Sequence, residues 1–312
     1  MYSVRNSTAP AAVWISSNKN SDVVFLQPMS FSAKTKSRTH DIVISMKAGL
    51  CTIALQKHSV FEAIDMAKAA GAQSVEIWGK PPHTPYPIDE AHLARVRMHA
   101  RNAGIAVAAY GSYYNAGGMV EVNGATLTAE GELAIARALG APCIRIWPGK
   151  KEQKDLSPVD IDAVIRDIRV IGDKALAAGI AIVLERHCNT ITSAWDGVDV
   201  LMKRIGHPNI FLNYQIPYPS SAEDYEKRSA DDHKTLMPFA HHVHLQNYVR
   251  DTSVRNPKRT FLAEGVVDYA KFGAAAKASG FTGYAMVEFL ADKADMSETE
   301  LIRRDIDFIR TL

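Results

Sequence analysis

The chain has 312 residues, of which 47% are hydrophobic and 22% charged, an ordinary globular composition with enough apolar residues for one sizeable core. A net charge of +2 with histidine neutral gives no electrostatic footprint for nucleic acid or an anionic membrane, and no run of about 18 apolar residues offers a transmembrane helix. Cys51, Cys143 and Cys188 are widely spaced, with no CxxC pair, which argues against a disulfide framework and a structural zinc site and points to a reducing, cytoplasmic setting.

Residues 1–45 are rich in Ser, Asn, Thr and Lys and hold only Asp22 and Asp41 as acids. They read as an N-terminal extension, either disordered or lying upstream of a true start at Met46. An organellar transit peptide is the other reading, since no apolar stretch of the secretory kind follows a basic start. From Met46 onward short apolar runs alternate with longer amphipathic segments. Strands are expected at 47–53, 73–78, 105–110, 142–147, 180–185, 209–214, 240–246 and 282–289, most of them aliphatic runs of the kind buried parallel strands require. Between them, Val60, Ile64 and Ala67 recur at helical spacing in 59–70. Val159, Val164, Ile168, Ile171 and Leu176 do so in 158–179, where Ser157-Pro158 marks the start. Gly71, Gly104, Gly140, Gly179 and Gly280 stand where left-handed helix ends are expected.

Strand and helix in eightfold alternation predict one (β/α)8 barrel over 46–312. A doubly wound sheet is the alternative, but the turn after the first strand, Ala54-Leu55-Gln56-Lys57-His58-Ser59, has no glycine to cradle a phosphate.

Barrels of this kind carry their sites at the C-terminal strand ends. The polar and aromatic residues ending the runs include Glu76 and Trp78, Tyr110 with Tyr113 and Tyr114 beyond it, Arg145 and Trp147, Glu185 and His187, Asn213 and Gln215, His242, His244 and Gln246, and Glu288. Glu185, Gln215, His244 and Glu288 come from four consecutive strands. Two carboxylates, an imidazole and an amide oxygen suit one divalent cation, Mn²⁺ first, with Mg²⁺, Co²⁺ or Zn²⁺ as alternatives. Each residue has a plainer reading: a strand-end carboxylate pairs with an arginine, a histidine is hydrogen-bonded in the core, an aromatic packs the rim. Trp78, Tyr110, Arg145 and Gln246 are candidates for substrate contact.

Ile182-Val183-Leu184-Glu185-Arg186-His187, His242-Val243-His244-Leu245-Gln246-Asn247, Ala263-Glu264-Gly265-Val266-Val267-Asp268 and Gly280–Glu288 together resemble the xylose-isomerase-like barrel superfamily, in its sugar-phosphate isomerase/epimerase branch. The resemblance runs from Met46 to Leu312. It implies that Glu185 and Glu288 ligate the metal and that Arg250 contacts substrate. It departs at strand six, where the family's Asp and following His are Gln215 and Tyr218, and after strand seven, where its Lys-Asp pair is Gln246-Asn247.

The activity this implies is metal-assisted proton abstraction beside the carbonyl of a keto-sugar, with Glu185 and Glu288 as opposed bases in an isomerase or epimerase. A lyase or dehydratase on the same scaffold, with His187 as its acid, is the second expectation. A DNA-repair endonuclease would need more strand-end histidines and a basic face. A non-catalytic sugar-binding barrel is the remaining alternative, which Gln215 favours. The expected partner is a small carbohydrate, without nucleic acid or membrane, and a homo-oligomer is compatible with the sequence.

Overall fold

The computed structural model describes residues 46–217, 222–249 and 258–312. The N-terminal segment 1–45, Tyr218 and Arg250 lie outside the described residues. Among those described, eight parallel strands close a barrel in chain order. They are β1 (Lys47–Cys51), β2 (Ser74–Trp78), β3 (Ala106–Asn115), β4 (Cys143–Trp147), β5 (Ala181–Glu185), β6 (Ile210–Tyr214), β7 (Ala240–Leu245) and β8 (Tyr284–Val287). Closure is between β8 and β1, with Lys47 opposite Tyr284 and Leu50 opposite Val287. The chain is therefore a (β/α)8 TIM barrel.

Helices follow the strands: α1 (Val60–Ala69), α2 (Glu90–Ala103), α3 (Ala129–Leu139), α4 (Pro158–Ala177), α5 (Val198–Ile205), α6 (Ala222–Leu236), α7 (Tyr269–Ala278) and α8 (Glu298–Ile309). Their ends follow local chemistry. Ser59 and Glu62 form a reciprocal capping box at α1, and Ser157 and Asp160 do the same at α4 behind Pro158. Gly104 and Gly140 end α2 and α3 at φ of 74° and 70°, a left-handed conformation that a Cβ would strain. No helix among the described residues is long and apolar enough to cross a membrane.

The pleat sorts the strands' side chains into two environments. Leu50, Val75, Ile144, Leu184, Leu212 and Val287 lie in the one large apolar cluster that the strands share with the helices. Their neighbours along each strand face the barrel axis, and towards the C-terminal end these are polar: Glu76, Arg145, Glu185, Asn213, His242 and His244, all buried. Burying each outward Leu or Ile contributes roughly 1.5–3 kcal/mol, and that layer supports the polar interior.

β3 is longer than the sequence suggested, running to Asn115 past a register shift against β4 between Gly111 and Asn115. Two short antiparallel hairpins were not foreseen. Glu121–Val122 pairs with Ala125–Thr126 after β3, and Asn247–Val249 pairs with Lys258–Thr260 after β7. Both lie in strand-to-helix connections, at the barrel end where sites form.

Candidate active site

The C-terminal ends of the strands enclose a cavity of about 200 Å³ lined by Glu76, Trp78, Tyr113, Arg145, Trp147, Glu185, His187, His244 and Glu288, with Cys51 and Phe289. A wider pocket of about 440 Å³ shares His187, Glu288 and Phe289 and adds Gln215, Gln246, Arg186, Trp195 and Arg259.

His244 organises the floor. Its Nε2 lies 2.9 Å from Oε2 of Glu76, and its Nδ1 faces Oε1 of Glu185 at 3.7 Å and Oε1 of Glu288 at 3.6 Å. His242, two residues deeper on β7, brings its Nε2 to 3.0 Å from the same Glu76 oxygen. On the other side Arg145 bridges two acids, with guanidinium nitrogens 3.4 Å from Oε1 of Glu76 and 3.0 Å from Oε2 of Glu185. It also donates to the Ser112 carbonyl at 3.0 Å. Gly111 leaves room for this pair: a Cβ at this position would stand 2.5 Å from Glu76 Oε1 and 2.8 Å from an Arg145 nitrogen, so one of them would have to shift.

Burial works against a charged Glu76, but His244, His242 and Arg145 outweigh it and hold the carboxyl well below the usual range. Glu185 is also lowered: Arg145 and His244 overcome its desolvation. Against the cost of burial, the carboxylates of Glu76 and Glu185 hold the His244 imidazole well above its ordinary value. Desolvation pushes the Cys51 thiol up to about 12, so it stays neutral.

Glu288 is gripped differently. Its Oε2 accepts from the side-chain amides of Gln215 at 3.0 Å and Gln246 at 2.9 Å. Gln215 Oε1 and His244 Nδ1 are buried without a hydrogen-bond partner among the described residues. Oxygen and nitrogen donors of Glu185, His244 and Glu288 all lie within 4.8 Å of one another. Once His244 gives up its proton, three buried carboxylates here face one guanidinium, an excess negative charge that a divalent cation would neutralise. The donor set and the orphaned amide oxygen fit such a cation.

The aromatic wall is continuous. Trp78 Nε1 donates to the Tyr113 hydroxyl at 2.8 Å, Tyr113 stacks on Trp147 with centroids 6.0 Å apart, and Trp147 meets the His187 ring at 4.4 Å. Lys80 Nζ sits 3.8 Å over the Tyr113 ring. His187 Nδ1 donates to the Cys188 carbonyl at 2.8 Å, which fixes the tautomer whose lone pair is on Nε2.

The structure thus brings Glu185, His187, Gln215, His244, Gln246, Glu288, Trp78 and Arg145 to adjoining pockets. Arg145 is occupied by Glu76, Glu185 and Ser112, and its reach towards a substrate is limited accordingly. Tyr110 is elsewhere. It is fully buried on the outer face of β3, where its hydroxyl donates to Glu132 of α3 at 2.9 Å and meets the Tyr86 hydroxyl at 2.7 Å. The period-two pleat places Gly111, not Tyr110, towards the axis. Glu76 was visible only as a strand-end acid two residues before Trp78; its two histidine partners on β7 required the closed barrel. Arg259 carried no sequence signal, because the hairpin that presents it was not foreseen.

A curated relative, the 3-dehydroshikimate dehydratase of Bacillus anthracis, is 22% identical over 207 residues, covering 65% of this chain and 72% of that protein. Among solved structures, the probable 3-DHS dehydratase of Bacillus anthracis superposes with a TM-score of 0.64 at 18% identity, over 85% of this chain and 98% of its own. The D-allulose 3-epimerase of Methylomonas sp. does so with a TM-score of 0.62 at 18% identity, over 86% of this chain and 98% of its own. At these identities the structural likeness speaks for the fold alone. The model of one family matches residues 64–312, most of the barrel, and the chain belongs to that family, the xylose isomerase-like TIM barrels.

Proposed function

We propose that this chain is a divalent-metal-dependent lyase that removes a proton beside the carbonyl of a polyhydroxylated keto compound and expels a β-oxygen. The observation that carries this reading is the state of the three bases in the cavity. Glu185 is held by Arg145, and Glu288 accepts from two amides. Glu185, lowered by Arg145 and His244, is a weak base, and Glu288 has one oxygen taken up by two amide donors. His187 has its Nδ1 committed to a carbonyl and its Nε2 lone pair left to accept a proton.

A cation held by Glu185, Gln215, His244 and Glu288 would supply positive charge where the enolate oxygen develops. The protein's own residues supply the rest. Trp78, Tyr113 and Trp147 offer flat apolar faces for a sugar or carbocyclic ring and exclude water. His187 takes the proton from carbon, and the electron pair moves into the carbonyl. When the enolate collapses, the β C–O bond breaks and His187 returns the proton to the departing hydroxyl, so the net change is loss of one water. The curated dehydratase relative supports this class of reaction.

The second reading is epimerisation by two opposed carboxylates. It is favoured by the approach of Glu185 and Glu288 to the same edge of His244, at 3.7 and 3.6 Å. One experiment separates the two. Metal-loaded protein is incubated in D₂O with 3-dehydroshikimate and, separately, with a neutral ketohexose. Elimination turns 3-dehydroshikimate into an ultraviolet-absorbing dihydroxybenzoate. Epimerisation instead puts deuterium beside the ketose carbonyl with no new chromophore. Neither outcome on any substrate tried would favour the non-catalytic barrel.

A further inference from the structure

Arg259 lines the wider pocket together with Gln215 and Gln246, the residues that grip Glu288. It lies in the short strand Lys258–Thr260, paired with Asn247–Val249, with Tyr248 directly across. Asp292 clamps its backbone from both sides: Arg259 N donates to Asp292 Oδ2 at 2.8 Å, and Asp292 N donates to Arg259 O at 3.1 Å. The guanidinium carbon sits over Phe289, 4.0 Å from the ring centroid, and Phe289 directly follows Glu288. Its Nε is buried with no hydrogen-bond partner, and no carboxylate comes within ion-pair distance, among the described residues. The pocket it lines also holds His187, Gln215, Gln246 and Glu288.

A guanidinium over an aromatic face presents its donors along its own edge, in the plane where a carboxylate is received by two parallel hydrogen bonds. The neighbouring cation in the pocket has no such freedom, because Arg186 is paired with Asp232 through both nitrogens at 2.6 and 2.7 Å. A partly desolvated arginine without an acidic partner among the described residues, beside a cavity rich in carboxylates of its own, is arranged for an anion that arrives from outside.

We propose that Arg259 receives a carboxylate of the substrate and so restricts the site to acidic keto compounds. This rests on the reaction proposed above and names its substrate class. The bidentate contact holds the acid end over Phe289 and leaves the ring to the aromatic wall.

The test uses ligands that cannot react. Metal-loaded wild type and Arg259→Gln are titrated calorimetrically with shikimate, which lacks the ketone, and with its methyl ester, which lacks the charge. The wild type should bind the acid at least about tenfold more tightly than the ester, as a charge-assisted pair implies. Arg259→Gln should remove that preference and leave ester affinity and melting temperature unchanged. Arg259→Lys, a point charge without the planar fork, should recover only part of it. Equal affinity for acid and ester in the wild type, no binding of either, or a preference surviving in Arg259→Gln would overturn the assignment. A wild type that exchanges the α-proton of a neutral ketohexose, yet shows no preference for the acid, leaves the proton-abstraction step standing and removes Arg259 from it.

Discussion

Glu76 and His244 meet through Oε2 and Nε2 at 2.9 Å across the barrel interior, one on the second strand and one on the seventh. This contact turns the imidazole so that Nδ1 faces Glu185 and Glu288. A carboxylate on the far nitrogen fixes both the ring's orientation and its tautomer, and makes the near nitrogen a better donor.

Glu76→Gln should therefore weaken divalent-metal binding by about 10–100-fold while the barrel stays folded. Titration with Mn²⁺, alongside circular dichroism, checks this. His244 enters the metal-free site with a raised proton affinity, so ligation must displace a proton and wild-type affinity should climb with pH. Unchanged affinity in Glu76→Gln would mean that His244 is not positioned by this contact.

Gln215 sets the charge of the same site. Its amide donates to Glu288 at 3.0 Å, and its Oε1 has no partner. In Gln215→Asp the donor is lost and a third carboxylate joins Glu185 and Glu288. Hard-cation affinity should rise with the added ligand charge. The metal-free variant should melt lower than wild type through like-charge repulsion. Calorimetry with Mn²⁺ and melting curves with and without chelator decide it. A variant that binds metal no more tightly would place Gln215 outside the ligand set.

Much of the fold was legible because parallel strands buried on both faces leave aliphatic runs, and all eight runs became barrel strands. The candidate site was legible in part for the same reason: a polar residue ending an aliphatic run stands at the barrel mouth. That rule gave no orientation along a strand that slips register. β3 shifts against β2 between Val75 and Glu76, and Tyr110 turns outward to Glu132 while Gly111 faces the axis. Nor could it show that Arg145 is committed to two acids, since Glu76 and Glu185 are distant in sequence.

Asp305 on α8 offers a pH test remote from the site. It is 1% exposed, and its Oδ1 accepts from Leu262 N at 2.8 Å. Burial pushes its pKa from 3.8 to about 7, against the lowering effects of that hydrogen bond and of Arg304. The folded-state value is raised, so the stabilising contribution is complete below pH 3.8 and is lost as pH rises through about 7, where the folded state too gives up the proton. Asp305→Asn keeps the acceptor and cannot ionise. Its stability relative to wild type should grow between pH 4 and 7 by up to about 4 kcal/mol, the equivalent of a shift of about three pH units. Urea unfolding at three pH values measures this; a constant difference would show that Asp305 ionises normally.

The sharpest division of labour lies between His187 and Glu288. His187 lines both pockets but is absent from the cluster of Glu185, His244 and Glu288 whose donors converge. Its ring rests on Trp147 at 4.4 Å, and an asparagine there can keep a donor to the Cys188 carbonyl without offering a base. His187→Asn should bind Mn²⁺ like the wild type yet lose elimination and deuterium exchange by about 10²–10⁴-fold, the usual contribution of a positioned general base. Glu288→Gln should fail earlier. It removes a ligand charge and leaves Gln215 and Gln246 pointing at a weaker acceptor, so metal content should fall together with activity. Metal analysis and proton exchange on the same two samples separate the roles. If His187→Asn still exchanges the substrate proton at the wild-type rate, the base is one of the two carboxylates, and epimerisation becomes the better reading of the site.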